Sequence, residues 1–199
     1  MASDLIPKYE DPIALFSEWF TEAQNSEIND HDAMSLATCA LDNKPSVRMV
    51  LLKGFSRAGF VFYTNKQSKK GSQISDNKQA AMCFHWKSLR KQVRIEGELE
   101  VVKNEVADKY FASRSRNSQL SAWASKQSEG LVDRVQFVEE FQLTEERFNK
   151  VAVPRPKHWS GFCLNPVLIE FWCDQPFRMH DRLEYQKDGE FWKTQRLYP

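Results

Sequence analysis

The sequence predicts a mainly β fold with flanking helices, an α+β chain whose strands form a small barrel or a curved sheet. Three observations carry that prediction. About six or seven short runs rich in β-branched and aromatic residues follow one another in meander order, with short helical patterns between them. Val93, Ile95, Leu99 and Val101 alternate with Arg94, Glu96, Glu98 and Glu100, the period of a sheet with one wet face. Strands do not alternate regularly with helices, and no G-x-G-x-x-G or G-x-x-x-x-G-K-[ST] element occurs, which argues against a doubly wound parallel sheet.

At 199 residues the chain fits one domain with a substantial core. Residues 1–10 carry no periodic pattern and are expected to be a mobile N-terminal arm, with residues 11–199 forming the domain. Lys plus Arg (28) nearly balance Asp plus Glu (27), a net charge of +1, so any basic site is local and a general nucleic-acid binder is not indicated. Cys39, Cys83, Cys163 and Cys173 form no C-x-x-C pair and no metal-ligand spacing with histidine, so neither a metal nor a disulfide framework is expected. No apolar run approaches the roughly 18 residues of a membrane span, and the N-terminus lacks a signal-peptide pattern. A soluble, cytoplasmic protein with no membrane and no nucleic-acid partner is expected.

In chain order, Asp11 supplies an N-cap and Pro12 a first helical position. Ile13, Phe16, Phe20 and Ala23 recur at helical spacing, so an amphipathic helix is expected to end near Asn25. A short strand over residues 34–39 turns at Asp42-Asn43-Lys44-Pro45. Residues 46–53 and 59–65 then read as an antiparallel pair joined by a polar connection containing Gly54 and Gly59. Residues 68–74 look like a loop feeding a short helix, and residues 80–86 like an apolar strand. Asn104 is placed as the cap of the next helix, on which Val106, Tyr110 and Arg114 share a face. Residues 131–150 carry an amphipathic helix built on Leu131, Val135, Val138, Phe141 and Phe148 and stopped by Pro154 and Pro156. Strands over residues 167–172, 177–186 and 190–197 close the chain, the last two joined at Lys187-Asp188-Gly189.

Four groups of side chains can carry chemistry. Arg48 and Lys53 sit in an otherwise apolar strand. Buried cations are costly unless an anion pairs with them, so this segment either holds an anionic ligand or carries two surface cations on an edge strand. Their odd spacing sends them to opposite faces unless Lys53 stands at a bulge or strand end beside Gly54. Lys66, Lys69 and Lys70, with Thr64, Ser68 and a nascent helix N-terminus, are the components of a phosphate site or else a solvated lysine cluster. Tyr110 and Arg114, with Ser118 just beyond, can clamp a second anion. Alternation in the penultimate strand puts Arg178, His180 and Arg182 on one face, where two cations around an imidazole favour its neutral form.

Taken in order, Arg48-Met49-Val50-Leu51-Leu52-Lys53, Phe62-Tyr63-Thr64-Asn65, Ser68-Lys69-Lys70, Lys91-Gln92-Val93, Lys109-Tyr110-Phe111-Ala112-Ser113-Arg114, Ser125-Lys126-Gln127-Ser128, Ile169-Glu170-Phe171-Trp172 and Arg178-Met179-His180-Asp181-Arg182 resemble the pyridoxine/pyridoxamine 5'-phosphate oxidase family over nearly the whole chain. The resemblance implies a split β-barrel homodimer with FMN in clefts at the subunit interface. By position it implies that Arg48, Met49, Val50, Leu51, Leu52, Lys53, Tyr63, Thr64, Lys69, Lys70, Gln92, Gln127, Ser128, Trp172 and Arg182 hold FMN. Lys53, Tyr110, Arg114 and Ser118 would hold the substrate phosphate or ring, with Arg178 and His180 as the catalytic pair closing over the pyridine. The implied reaction oxidises C4′ of pyridoxine 5'-phosphate or pyridoxamine 5'-phosphate to pyridoxal 5'-phosphate with O2 as acceptor, releasing hydrogen peroxide and, from the amine, ammonia. One phosphate on each ligand accounts for two local basic clusters on so neutral a chain. The alternatives are a related flavin oxidase of another aromatic substrate, and a flavin- or pyridoxal-phosphate-binding protein without turnover. The chain departs from the family pattern at Trp159-Ser160-Gly161-Phe162-Cys163, where Trp-Gly-Gly, an aromatic and Arg are common. It departs again at Lys69, where arginine is frequent; lysine keeps the charge but loses the bidentate fork.

Overall fold

The computed structural model describes residues 4–199. Helix α1 (Pro12–Ser26) begins as its sequence requires, with the Asp11 carboxylate accepting from the Ile13 N–H and Pro12 in the first turn. It buries Leu15, Phe16, Trp19 and Ala23. The strands are β1 (Ala33–Cys39), β2 (Pro45–Leu51), β3 (Gly54–Ser56), β4 (Gly59–Asn65), β5 (Gln79–Trp86), β6 (Lys91–Val101), β7 (Trp159–Cys173), β8 (Asp181–Asp188) and β9 (Phe191–Arg196). Between them lie α2 (Lys69–Asp76), α3 (Asn104–Ser113), α4 (Arg116–Ala124) and α5 (Arg134–Arg147).

All nine strands join one antiparallel sheet, in which seven run in the order β2-β1-β5-β6-β7-β4-β3, with β8 and β9 branching from β7. Only Leu52 and Lys53 separate β2 from β3, yet those strands end opposite edges of that path. A two-residue link spans both edges only if the sheet curls on itself. The link is hydrogen-bonded to both sides, Leu52 N–H to Asp32 O and Lys53 N–H to Val61 O, each at 2.8 Å. Strand β7 is where the barrel splits. Along one edge it pairs with β6 over residues 162–173, whereas its other edge carries β4 opposite residues 159–164 and β8 opposite residues 168–173. Near this fork the β6–β7 register skips Val167, beside Pro166, which has no N–H to give to a ladder.

The barrel interior is aromatic. Phe16 is fully buried with the rings of Phe55, Phe60 and Phe84 at 4.9–5.3 Å, edge-on, so α1 closes one mouth of the barrel. A second cluster, Phe111, Leu120, Phe148, Val153 and Trp159, packs α3 to α5 against the outer face of β4 and β7.

Several expectations need correction. Residues 46–53 and 59–65 do not pair as a hairpin: β2 pairs with β1 through the Asp42–Lys44 turn, and the tight hairpin is β3–β4, turned at Gly59 with φ of +135°. Gly54, read as part of the connection, opens the extra short strand β3. Asn104 is the first helical residue of α3 rather than its cap, and its Oδ1 accepts from Arg155 at 3.0 Å. Helix α4 had no counterpart in the expected elements; its mark is Ser115, whose Oγ accepts from Ser118 N–H as N-cap. Strand β7 starts at Trp159, eight residues ahead of the expected 167, and β8 starts at Asp181 instead of 177. The first three residues of the expected arm lie outside the described residues. Of the rest, Ile6 is fully buried, and the Leu5 and Ile6 N–H groups donate to Asp181 Oδ2, so packing begins before residue 11. No helix among the described residues is long and apolar enough to cross a membrane.

Candidate active site

The inner face of β2 and the N-terminus of α2 bring two cations together. Arg48 Nη1 donates to Leu36 O at 3.0 Å and Thr38 Oγ1 at 2.6 Å, while Nη2 faces Ser46 and reaches Gln73 Oε1 at 3.4 Å. Ser68 caps α2, and in its first turn Lys70 Nζ donates to Thr64 Oγ1 at 3.0 Å and Gln127 Oε1 at 2.8 Å. Both cations are half-buried. Burial, and then the Arg48 charge, push the Lys70 ammonium down to about 8. No ion pair among the described residues involves Arg48, Lys69 or Lys70. Two desolvated cations, hydroxyls and the free N–H groups of a helix start, with no carboxylate to neutralise them, form a site for a phosphate. Lys69 is exposed at the same helix start.

Lys53 stands beyond the end of β2, the strand-end position that its spacing from Arg48 called for. Its Nζ is 2.6 Å from Asp32 Oδ2, so in this chain it already has an acid partner. Leu52 is core, Val50 packs against it, and Met49 and Leu51 point outward with Val47.

Tyr63 on β4 stacks on Tyr110 of α3 at 3.9 Å and on Trp159 at 5.2 Å. Arg114, one residue past α3, lies with Cζ 5.0 Å from the Trp159 ring centre, and its Nη1 is buried with no hydrogen-bond partner. Burial lowers its pKa. Aromatic faces rather than an acid hold this guanidinium, which leaves it free for an anion. Ser118 Oγ is 2.8 Å from Ser115 Oγ in the cap of α4, and Gln127 and Ser128 follow that helix, Ser128 with φ of +77°.

The remaining expected residues lie elsewhere. Gln92 on β6 faces Trp172 on β7, and Trp172 faces Arg182 on β8. Arg182 Nε donates to Glu170 Oε1 at 2.8 Å, an almost fully buried carboxylate that Arg94 also pairs with, and Nη1 donates to Tyr198 O. Strand alternation does not place Arg178 and His180 beside Arg182: both precede β8, and Arg178 is exposed in a 3-10 turn, Pro176–Arg178. Phe177 and Arg178 both take left-handed φ, +60° and +62°, and this breaks the extended conformation that alternation assumes. His180 lies 4.7 Å from the Trp172 ring, with Nδ1 3.0 Å from Asp174 Oδ1. That acidic neighbour is opposite in sign to the flanking cations that the sequence suggested.

Ser160 pairs with Thr64 at one end of β7, and Trp172 stands twelve residues further along the same strand. At a rise of about 3.3 Å per residue that is ~40 Å of strand between the Lys70 cluster and the Trp172–His180 cluster. Within one chain the expected residues therefore fall into two separate clusters. A cleft of ≈1210 Å³ between residues 8–13, Arg57 and the β8–β9 hairpin holds none of them. Thr38, Ser46 and Gln73 around Arg48 were not foreseen; of these Gln73, one helical turn after Lys70, had a local signal.

A family model described as pyridoxamine 5'-phosphate oxidase matches residues 20–148, and one described as the pyridoxine 5'-phosphate oxidase C-terminal dimerisation region matches residues 159–199. The pyridoxine/pyridoxamine 5'-phosphate oxidase of Rhodospirillum rubrum is 52% identical over 194 residues, 95% of this chain and 96% of that protein. Among solved structures, PhzG from Burkholderia lata in complex with tetrahydrophenazine-1-carboxylic acid has a TM-score of 0.91 at 30% identity, covering 96% of this chain and 94% of that one. A pyridoxamine 5'-phosphate oxidase-related, FMN-binding protein from Nostoc punctiforme shares the fold, with a TM-score of 0.76 at 17% identity, over 96% of this chain and 100% of that one. With both models matched in sequence along it and half its residues shared with the Rhodospirillum enzyme, the chain belongs to the pyridoxine/pyridoxamine 5'-phosphate oxidase family.

Proposed function

We propose that the protein is an FMN-dependent oxidase that converts pyridoxine 5'-phosphate or pyridoxamine 5'-phosphate to pyridoxal 5'-phosphate in vitamin B6 metabolism. O2 is the terminal acceptor, hydrogen peroxide is released, and the amine also yields ammonia. The observation that carries this reading is the Arg48–Lys70 pair, two half-buried cations with hydroxyl, amide and helix-start donors around them and no acid partner. That donor set fits a phosphate monoester such as that of FMN. Arg48 to Lys53, Tyr63, Thr64, Lys69 and Lys70 would hold the cofactor from one side, and Gln92, Gln127, Ser128, Trp172 and Arg182 would complete its site. Lys53, Tyr110, Arg114 and Ser118 would hold the substrate phosphate and ring; the unpartnered Arg114 Nη1 supports that role.

When bound, FMN supplies the two-electron acceptor for C4′. The protein's share is binding, orientation and proton handling. Arg178 and His180 would place the pyridine and receive a proton from the C4′ substituent. Because the two half-sites stand far apart along β7, we infer a homodimer in which each FMN lies between the Lys70 half-site of one copy and the Trp172–His180 half-site of the other. The outward Val47, Met49 and Leu51 supply apolar area for such a contact. Four free cysteines fit the reducing cytoplasm. The PhzG likeness, at 30% against 52% for the oxidase relative, supports a phosphorylated vitamin over a phenazine-type substrate.

An absorbance spectrum during addition of pyridoxine 5'-phosphate tests the whole reading. The flavin band should bleach without air and return with it, as aldehyde accumulates. A protein that acquires no flavin band from added FMN refutes the cofactor, and a yellow protein that never bleaches refutes the turnover.

A further inference from the structure

We propose that Glu170 is a positioning residue for the cofactor site: shared with Arg94, it holds Arg182 by Nε alone and leaves Arg182 Nη2 open as a donor to bound FMN. The inference rests on the cofactor proposed above.

Glu170 lies in the run Ile169-Glu170-Phe171-Trp172, in which only Trp172 had an expected role. Strand alternation turns Ile169 and Phe171 into the barrel core and Glu170 and Trp172 to the opposite face. Directly across the ladders from Glu170 stand Arg94 on β6 and Glu184 on β8. Facing carboxylates repel, and each is answered separately: Glu184 Oε1 accepts from Gln195 Nε2 at 2.6 Å, while Glu170 takes two arginines. Arg182, two residues before Glu184, leans back along the sheet to reach it. The Glu170 residue is 3% exposed, and so deep a charge is tolerated only when its oxygens are paired.

How the two oxygens are divided decides what Arg182 can do. Oε2 accepts from Arg94 Nη1 at 3.0 Å, and Arg94 Nη2 is itself engaged by Glu96 Oε1 at 2.9 Å. Oε1 accepts from Arg182 Nε at 2.8 Å. A carboxylate often grips a guanidinium by two parallel bonds, and from the Nε side the second would come from Nη2. Here the second oxygen belongs to Arg94, so Arg182 is held by one bond only. Its Nη1 donates to Tyr198 O at 2.9 Å. Nη2 is thus the one nitrogen of Arg182 with no hydrogen-bond partner among the described residues. Two fixed bonds on a planar group set its plane and direction, so side-chain freedom is lost on folding and not on binding. Arg182 pairs across the ladder with Trp172, and Trp172 with Gln92, which puts the open nitrogen in the row of side chains expected around the cofactor. A flavin ring carries carbonyl oxygens and ring nitrogens that accept hydrogen bonds, and a charged donor already aimed suits them. Neither Glu170 nor Arg94 was among the expected site residues.

The test is a fluorescence titration of the full chain, freed of flavin, with FMN. Glu170→Gln is nearly isosteric, but its one amide oxygen can serve one arginine only. It should weaken FMN binding roughly tenfold, the size of one charge-assisted hydrogen bond. The same change is then made in an Arg182→Lys background, where the ammonium keeps a cation beside Glu170 but offers no second nitrogen. There Glu170→Gln should alter Kd by less than about twofold. A residue that merely holds the sheet together would cost the same in both backgrounds, so equal losses overturn the proposal, as does a wild-type Kd in Glu170→Gln. Should that variant fail to fold, Arg94→Met asks the question from the other side, because Glu170 keeps one cation and can turn both oxygens onto Arg182. FMN Kd should then rise several-fold although no side chain expected at the cofactor has changed, and an unchanged Kd refutes the proposal. A wild type that binds no FMN sinks the proposed cofactor itself, an outcome distinct from a wild type and a Glu170→Gln variant that bind it equally.

Discussion

Lys70 is the residue whose chemistry is most exposed to test. Its ammonium titrates at about 8 in the folded chain against an ordinary 10.5. Between those values the unfolded chain binds a proton that the folded chain does not, so this group makes the fold more stable as pH rises from 8 toward 10.5. A bound phosphate reverses the preference, because only the charged form pairs with it. Binding above pH 8 must then take up a proton, and FMN affinity should fall as pH rises through that value. Fluorescence titration should show Kd weakening by up to about tenfold per pH unit above this point, while Lys70→Met binds more weakly throughout and loses the slope. A wild-type Kd that stays flat across that range removes Lys70 from the phosphate. This cation was legible in the sequence because its partners Thr64 and Ser68 are six and two residues away. Asp174 was not, because Arg90 reaches it from another turn of the barrel, and no local pattern encodes a contact across 84 residues.

At the scale of elements, the seam between β4, β7 and α3 turns on one missing side chain. A Cβ on Gly161 would stand 2.6 Å from Tyr63 Cε1 and 2.9 Å from Val102 Cγ2. The Tyr63 ring cannot retreat, since Tyr110 lies 3.9 Å and Trp159 5.2 Å from its centre. Gly161→Ala should therefore cost about 1–3 kcal/mol, the scale of core overpacking, read as a fall in the denaturant midpoint. In a Tyr63→Ala background the cost should shrink, and equal costs in both backgrounds would show that the ring is not what the methyl meets. Most strands were legible because alternation survives wherever one face is wet, as in β6. What periodicity hides is partnership. The run 46–53 was a strand, but its neighbour is β1, and only the two-residue link at Leu52 and Lys53 shows why β4 lies near it without pairing. Helix α5 has the apolar residues of an amphipathic helix, yet Val135, Val138 and Leu143 are exposed, because a periodic pattern says that a face is apolar and not what covers it.

At the scale of the molecule, the two half-sites proposed above make a prediction that no single chain can meet. Lys70 and Arg178 belong to opposite ends of the long β7, joined by a strand and not by a cleft. If each site is shared between copies, Lys70→Met and Arg178→Ala each disable both sites of their own homodimer. In a mixed dimer, one site combines the two lesions and the other receives wild-type Lys70 from one copy and wild-type Arg178 from its partner. Random assembly makes about half of all dimers mixed, each with one sound site of two, so co-expression should restore about one quarter of wild-type activity. If instead each site were built within one chain, every chain in the mixture would carry a lesion and no activity would return. Arg178 suits this role because it is exposed and pairs with no acid among the described residues, so its loss leaves no buried charge behind. Arg182 does not suit it, since removing that guanidinium would strand the buried Glu170 with Arg94 alone. Complementation thus separates a shared site from mere association of two complete chains, which size measurements alone leave indistinguishable.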